Sequence, residues 1–251
     1  MRFRVTPYHG NLLGDHERLA AFREAISSRA RGITYDLGAG SGILSFFASK
    51  HADRVIAIER DPKIAACARE NLSCLDNVIV VNEDALHHEF SEADTIICEM
   101  LDTALIDEEQ VPVLRRALRF LRDEGTVIPQ AVFNAAEPVS VNCENIMYDE
   151  NLSQQSSGPM RVYDRVEFNE DLHEMFRGSL RLEALDKFNA IRITSFTMTA
   201  PEIICGPTPM INPPLIIPLG ETVDRGEVEI ELSYRMGGGF DSVEASIKDF
   251  I

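Results

Sequence analysis

The sequence predicts an α/β protein in two parts: a parallel sheet interleaved with helices over residues 1–129, then an antiparallel β-domain over residues 130–251. Three observations carry this. Short apolar runs alternate with helical patterns in the first half, which implies βαβ units. Period-two alternation dominates the second half. Eight of the 12 prolines lie beyond residue 130, a placement that suits strands and turns.

In chain order, Asp15 can cap a helix whose apolar residues Leu19, Phe22 and Ile26 recur at helical spacing. Ile33 to Leu37 is a first strand, followed by a glycine-rich turn and a helix through Leu44, Phe47 and Ala48. Val55 to Ile58 is a second strand. Pro62 suits the first turn of the next helix, through Ile64, Ala68 and Leu72. Val78 to Val81 and Thr95 to Cys98 are the third and fourth strands. Val111, Leu114, Leu118 and Leu121 mark a helix, and Gly125 to Ile128 opens a fifth strand. The boundary falls near Pro129. Beyond it, Leu180, Leu182 and Ala184 alternate with polar residues, and Ile191, Ile193 and Ser195 do so more weakly. Val228, Ile230, Leu232, Tyr234 and Met236 form a strand with one wet face, and Gly237-Gly238-Gly239 turns it into a second strand through Val243, Ala245 and Ile247. Asn151 to Pro159 is polar and is expected to be a mobile loop.

Composition excludes several classes. The 251 residues are 45% hydrophobic and carry 24 Lys+Arg against 41 Asp+Glu, a formal charge of −17. Such a field repels phosphate backbones and anionic membranes, so no nucleic acid and no membrane is expected, and a basic partner is favoured. The longest uncharged run, Ile203 to Gly220, contains five prolines and cannot span a bilayer as a helix. Five cysteines with no close pair argue against a disulfide framework or a zinc site and for a reducing cytoplasm.

The first strand runs into Tyr35-Asp36-Leu37-Gly38-Ala39-Gly40-Ser41-Gly42. Glycines at such a turn let the backbone approach a ligand. The dinucleotide spacing G-x-G-x-x-G is not met, because Gly42 falls two residues after Gly40. Asp36 would repel a pyrophosphate but welcomes an amino group. The second strand ends at Glu59, placed to take both hydroxyls of a ribose. The third is followed by Asn82-Glu83-Asp84-Ala85, where Asp84 could accept an adenine amino group. An amino-acid end, a ribose and an adenine describe S-adenosylmethionine. Each feature alone has a plain alternative as helix packing, a solvated strand end or a turn residue; their order at three successive strand ends is what argues for a ligand.

This pattern resembles class I S-adenosylmethionine-dependent methyltransferases over about residues 30–130. A narrower resemblance is to protein arginine methyltransferases. It rests on Ile96-Ile97-Cys98-Glu99-Met100-Leu101-Asp102 with Glu108 nine positions after Glu99, on Gly42 to Ala48, on Val55 to Glu59, and on Asp123 to Pro129. The resemblance implies a Rossmann-like methyltransferase sheet with a C-terminal antiparallel β-barrel or sandwich. It implies cofactor contacts from Asp36, Gly38, Ala39, Gly40, Glu59, Arg60, Asp84, Ala85 and Glu99, and a catalytic pair, Glu99 and Glu108, that clamps a guanidinium. A guanidinium (pKa above ~12) is planar and delocalised. Paired carboxylates can hold two of its nitrogens and draw charge from the third. Five carboxylates between Glu99 and Glu109, without a Lys or Arg among them, are costly unless a cation arrives.

The chain departs from that family in places. Met100 stands where Trp is usual, and no Trp occurs anywhere. Met210 to Pro214 corresponds to a loop that normally carries a His. Only Phe3 and Tyr8 represent the aromatic N-terminal helix that covers the cofactor, and no dimerisation arm is evident. Asn212-Pro213-Pro214-Leu215 is expected to be a rigid turn, His87 and His88 a surface loop, and Cys98 a small buried residue. His9 and His16 could reach the crevice but suit a helix surface better. Two alternatives stay open: methylation of a small molecule or another side chain, and a non-catalytic module that keeps the fold for binding. Oligomeric state is left undetermined.

Overall fold

A computed structural model of the chain describes residues 3–149, 154–208 and 210–250. The first half holds α1 (Pro7–Gly14), α2 (His16–Arg29), β1 (Ile33–Leu37), α3 (Ile43–Ala48), β2 (Arg54–Ile58), α4 (Pro62–Leu72), β3 (Val78–Val81), β4 (Ala93–Cys98), α5 (Gln110–Ala117) and β5 (Leu121–Ile128). Helix starts follow side-chain chemistry. The Asp15 carboxylate accepts from Arg18 N to cap α2, and Asp61 accepts from Lys63 N and Ile64 N to cap α4, with Pro62 in its first turn. The five strands are parallel and ordered β3-β2-β1-β4-β5. The order reverses between β1 and β4, whose ends Leu37 and Cys98 lie side by side in register. A crevice therefore opens above those two strand ends.

The second half holds β6 (Ala131–Val139), β7 (Met147–Tyr148), β8 (Arg161–Glu167), β9 (Met175–Ala184), β10 (Phe188–Ala200), β11 (Ile203–Cys205), β12 (Leu215–Val223), β13 (Gly226–Arg235) and β14 (Glu244–Phe250). They form a sheet ordered β7-β12-β10-β6-β8, with β11 on β10, and a sheet ordered β14-β13-β9. On β13, Val228, Ile230, Leu232 and Tyr234 point inward, as the alternation requires. The two halves share one core: Leu37, Ile96 and Val113 belong to the same buried cluster as Ile193, Leu215 and Tyr234. Helix α2 adds a second bond between them. Its Ala21 carbonyl accepts from Thr199 Oγ1 at 3.3 Å, and its Glu17 carboxylate accepts from Gly206 N at 3.1 Å.

Three expectations need correction. The helix through Val111 stops at Ala117, because a single 3-10 turn (Leu118–Phe120) follows and Leu121 already opens β5. Leu118 and Leu121 are packed against the core from that turn and strand rather than from a helix. The N-terminal residues do form a helix, α1, capped by Thr6 and started by Pro7. Of the polar stretch Asn151 to Pro159, residues 151–153 lie outside the described residues. The remainder is pinned, with Ser157 N donating to Pro138 O at 2.7 Å and Ser156 bridging Val139.

Phe22 on α2 is fully buried in the cluster that joins α2 to Ile128, Ala200 and Cys205. Phe22→Ala should lower the unfolding free energy by about 3–5 kcal/mol. The expected result is a lower denaturation midpoint with an unchanged slope; a slope that falls would show that the two halves had uncoupled.

Candidate active site

A cavity of about 400 Å³ lies over the ends of β1 and β4, within the range that holds small ligands. It is lined by the glycine turn, by Glu59 to Asp61 after β2, by Glu83 to Ala85 after β3, and by Glu99 to Leu101 after β4. All the residues singled out by the sequence, Asp36, Gly38, Ala39, Gly40, Glu59, Arg60, Asp84, Ala85, Glu99 and Glu108, line this one cavity.

The glycine turn is built for close approach. Gly38, Gly40 and Gly42 have φ of 70°, 54° and 87°, which side chains rarely adopt. A Cβ on Gly38 would meet Met100, and one on Gly40 would meet the His9 ring. The turn is tied to the next strand by Glu59, whose carboxylate accepts from Gly40 N at 3.0 Å and from Asp61 N at 2.8 Å. Asp84 accepts from Leu86 N at 2.8 Å, which fixes its turn. Asp36 is buried, and Ser45 Oγ donates to it at 2.5 Å. Burial pushes its carboxyl up to about 6, against the pull of the Ser45 hydrogen bond.

The residues fit an S-adenosylmethionine. The turn leaves room where any Cβ would intrude, and carboxylates stand at the three strand ends where an amino group, a ribose and an adenine amine need acceptors. Arg18 supplies the opposite charge on the same wall, suited to a carboxylate.

Arg18 is the residue that sequence reasoning missed. It is 3% exposed, and its guanidinium grips Glu99 with two hydrogen bonds: Nε donates to Oε1 at 2.8 Å and Nη2 donates to Oε2. A signal existed: Arg18 falls one turn before Phe22 and two before Ile26, so a cation occupies the apolar stripe of α2. The run from Glu99 to Glu109 is accordingly less unbalanced than its composition suggests. Arg18 pairs with Glu99, and Arg60 Nη1 pairs with Glu109 at 2.7 Å. Glu108 has no ion-pair partner among the described residues. Partial burial and the neighbouring Asp107 hold its carboxyl above the usual range.

The segment after β4 is locked from several sides. Gln110 is fully buried; its Oε1 accepts from Met100 N at 2.9 Å and its Nε2 donates to Cys98 O at 2.7 Å. Ala104 N donates to Ser195 Oγ at 2.8 Å, and Thr103 Oγ1 donates to Pro213 O at 2.7 Å. The triple-glycine turn reaches it as well, with Gly237 N bound to Leu105 O and Gly239 N bound to Ile106 O. Of the expected turn Asn212 to Leu215, Asn212 is buried and donates from Nδ2 to Thr197 Oγ1 at 2.8 Å, Pro213 abuts the active-site segment, and Leu215 already opens β12.

Helix α1 closes the other side. Tyr8, His9, Leu12 and Leu13 line the cavity. His9 is therefore a site residue rather than one of a plain helix surface; Thr6 Oγ1 holds its Nδ1 at 2.7 Å. His16 is exposed, and Cys98 is fully buried as expected. His88 does not stand free as a surface-loop residue: it packs edge-on against Tyr35 and Phe90. No group of metal-ligating side chains occurs among the described residues.

The raised Asp36 carboxyl links stability to pH. A carboxyl at about 6 when folded and near 3.8 when unfolded favours folding most below pH 4, and that contribution is lost as pH rises through about 6. The loss is on the order of 3 kcal/mol. Asp36→Asn should flatten the decline in melting temperature between pH 4 and 7 in protein free of cofactor. An unchanged decline would assign it to other carboxyls.

Comparisons with known proteins agree with this geometry. Residues 35–125 match a family model described as a methyltransferase domain. A protein of uncharacterised function from Methanothermobacter thermautotrophicus is 87% identical over 98% of this chain and 100% of its own length. An arginine N(omega)-methyltransferase of Streptomyces achromogenes is 30% identical over 52% of this chain and 39% of its own length. In fold, the chain is similar to a chain of the Trypanosoma brucei PRMT1 enzyme-prozyme complex with AdoHcy. The TM-score is 0.76 at 17% identity, covering 97% of both chains. Glycine turn, carboxylate-tipped strands, following β-domain and these likenesses lead to one conclusion: the chain belongs to one family with the Methanothermobacter protein, and it is built around the methyltransferase domain of an S-adenosylmethionine-dependent enzyme at residues 35–125, in a fold like that of the protein arginine methyltransferases.

Proposed function

We propose that this methyltransferase acts on an arginine side chain of a basic protein or peptide. The observation that carries the reading is the pairing of two unlike carboxylates in the cofactor cavity. Glu99 is locked in place by Arg18, and Glu108 has no ion-pair partner among the described residues. Bound S-adenosylmethionine supplies a methyl group on a positively charged sulfur. Asp36 would hold its amino group and Glu59 its ribose hydroxyls, with Asp84 and Ala85 at the adenine, Arg60 beside them, and Gly38, Ala39 and Gly40 in backbone contact. Glu99 would touch both ligands. Its grip by Arg18 uses one lone pair on each oxygen and leaves others for an incoming guanidinium.

Glu99 and Glu108 together would hold that guanidinium in plane and draw positive charge from its remaining nitrogen. Positioning and electrostatics then supply most of the acceleration. The likeness to the Streptomyces enzyme, which is named for arginine, supports a guanidinium as the acceptor group. So does the shape of the site. Among the described lining residues, Met210 alone comes from the β-domain, and Glu108 is exposed. A side chain of a larger molecule can therefore reach in, and the charge of −17 attracts a basic one. The acidic balance gives no support to nucleic acid as substrate. No helix among the described residues is long and apolar enough to cross a membrane.

Incubation with isotopically labelled S-adenosylmethionine and a lysate from the chain's own source should place label on protein arginine, mapped by mass spectrometry. Label on another side chain, or only in small molecules, would overturn the arginine reading while leaving the enzyme. Binding without transfer would favour the interaction module. Separately, Glu108→Gln should lower turnover by roughly 10²–10³-fold while cofactor affinity stays within a few-fold, whereas Glu99→Gln, which strands Arg18 and removes a cofactor contact, should lower turnover and weaken cofactor binding together. Unchanged turnover on the labelled substrate would remove the carboxylate clamp.

A further inference from the structure

We propose that Asp102 is a positioning residue whose buried carboxylate gathers the backbone amides of residues 106–108 and thereby aims Glu108 into the cavity. The inference rests on the reading of Glu108 as a substrate-holding carboxylate.

Asp102 was read in the sequence only as one of several acids near Glu99. The structure separates it from the rest. It is 4% exposed, and it does not line the cavity. Its Oδ2 accepts from Ile106 N at 3.0 Å and from Asp107 N at 2.9 Å, and its Oδ1 accepts from Glu108 N at 3.2 Å. Three successive amides thus converge on one carboxylate, the last of them belonging to Glu108 itself. The intervening backbone needs such an anchor. Ala104 and Leu105 have φ of 58° and 60°, so two consecutive residues with side chains sit in the left-handed region. With those angles the chain doubles back on Asp102, and Gly237 and Gly239 of the β13–β14 turn secure the outer carbonyls of Leu105 and Ile106. An isosteric asparagine cannot do the same work. Its amide group has one acceptor oxygen, and its NH2 would face a backbone N–H.

The groups facing Asp102 give it a pH dependence. Asp107 and Glu108 on its own segment repel its charge. Tyr148 on β7 and Tyr234 on β13 lie within electrostatic reach of it. Burial and these acids push its carboxyl up to about 7, against the pull of the amides. Protonation weakens a carboxylate as an acceptor, so the hold on residues 106–108 should loosen as pH falls through about 7.

Hydrogen exchange on the full chain tests the hold directly, and an arginine-bearing Gly-Arg-Gly repeat peptide tests the aim. Asp102→Asn should speed exchange at amides 106–108 by roughly tenfold or more, with the rest of the chain unchanged. Corrected for intrinsic rates, protection there should fall with pH through about 7 in the wild type and stay flat in the variant. Peptide affinity in the presence of S-adenosylhomocysteine should weaken about tenfold, and affinity for S-adenosylhomocysteine itself should not change. Unaltered exchange at 106–108, or faster exchange throughout the chain, would overturn the assignment. So would altered exchange with unaltered peptide affinity, provided that Glu108→Gln does weaken the peptide. If Glu108→Gln also leaves the peptide unaffected, the clamp reading falls instead, and the exchange data judge Asp102 on their own.

Discussion

The buried pair of Arg18 and Glu99 is the contact on which the rest of the site depends. It joins the first long helix to the end of β4, across 81 residues of sequence. A charge taken out of water is costly, and removing one partner of such a pair typically costs 3–5 kcal/mol because the other is left stranded. The pair therefore specifies more than it stabilises. With Arg18 fixed, α2 can sit in only one place over the sheet. With α2 fixed, α1 turns back across the cavity through Asp15, and Tyr8, His9, Leu12 and Leu13 form its wall.

The β-domain enters this arrangement as a brace. It contributes little to the lining, yet Ser195, Gly237 and Gly239 bond to the backbone between Ala104 and Ile106, and Pro213 O accepts from the Thr103 hydroxyl. Ser195 Oγ in turn donates to Asn134 Oδ1 at 2.6 Å, so the support runs back through β10 to β6. This explains how the chain keeps an ordered acidic segment without the Trp and the His that the resemblance would have supplied.

Much of this was legible in the sequence, for a physical reason. Strand ends in a parallel sheet are marked by apolar runs, and a crevice must lie above them. Gly38, Gly40, Glu59, Asp84 and Glu99 each fall within three residues of the end of such a run, so their convergence could be inferred without coordinates. The β13–β14 hairpin was equally plain, because period-two alternation and three glycines agree. What stayed hidden depends on contacts between distant segments. Neither Arg18 nor Gln110 was singled out from the sequence, and Asp102 was one member of an acidic run. Only folding shows that each is buried and satisfied. The end of α5 was missed because Leu118 and Leu121 fit helical spacing equally well from a 3-10 turn and a strand.

The electrostatics of the cavity follow from the same geometry. Both carboxyls are raised, that of Asp36 by full burial and that of Glu108 by partial desolvation beside Asp107, and each also feels the negative charge of Glu99. Arg18 compensates only part of that charge, being already engaged. A cation arriving beside Asp36 eases the ionisation of that carboxyl and offsets the field at Glu108, and a cation beside Glu108 acts in return on Asp36. Linkage makes any coupling between the two sites reciprocal, and its sign is set by the eased ionisation of the carboxyls against the repulsion between the two cations. In this reading the excess of carboxylates is the means by which two cations are brought into one cavity.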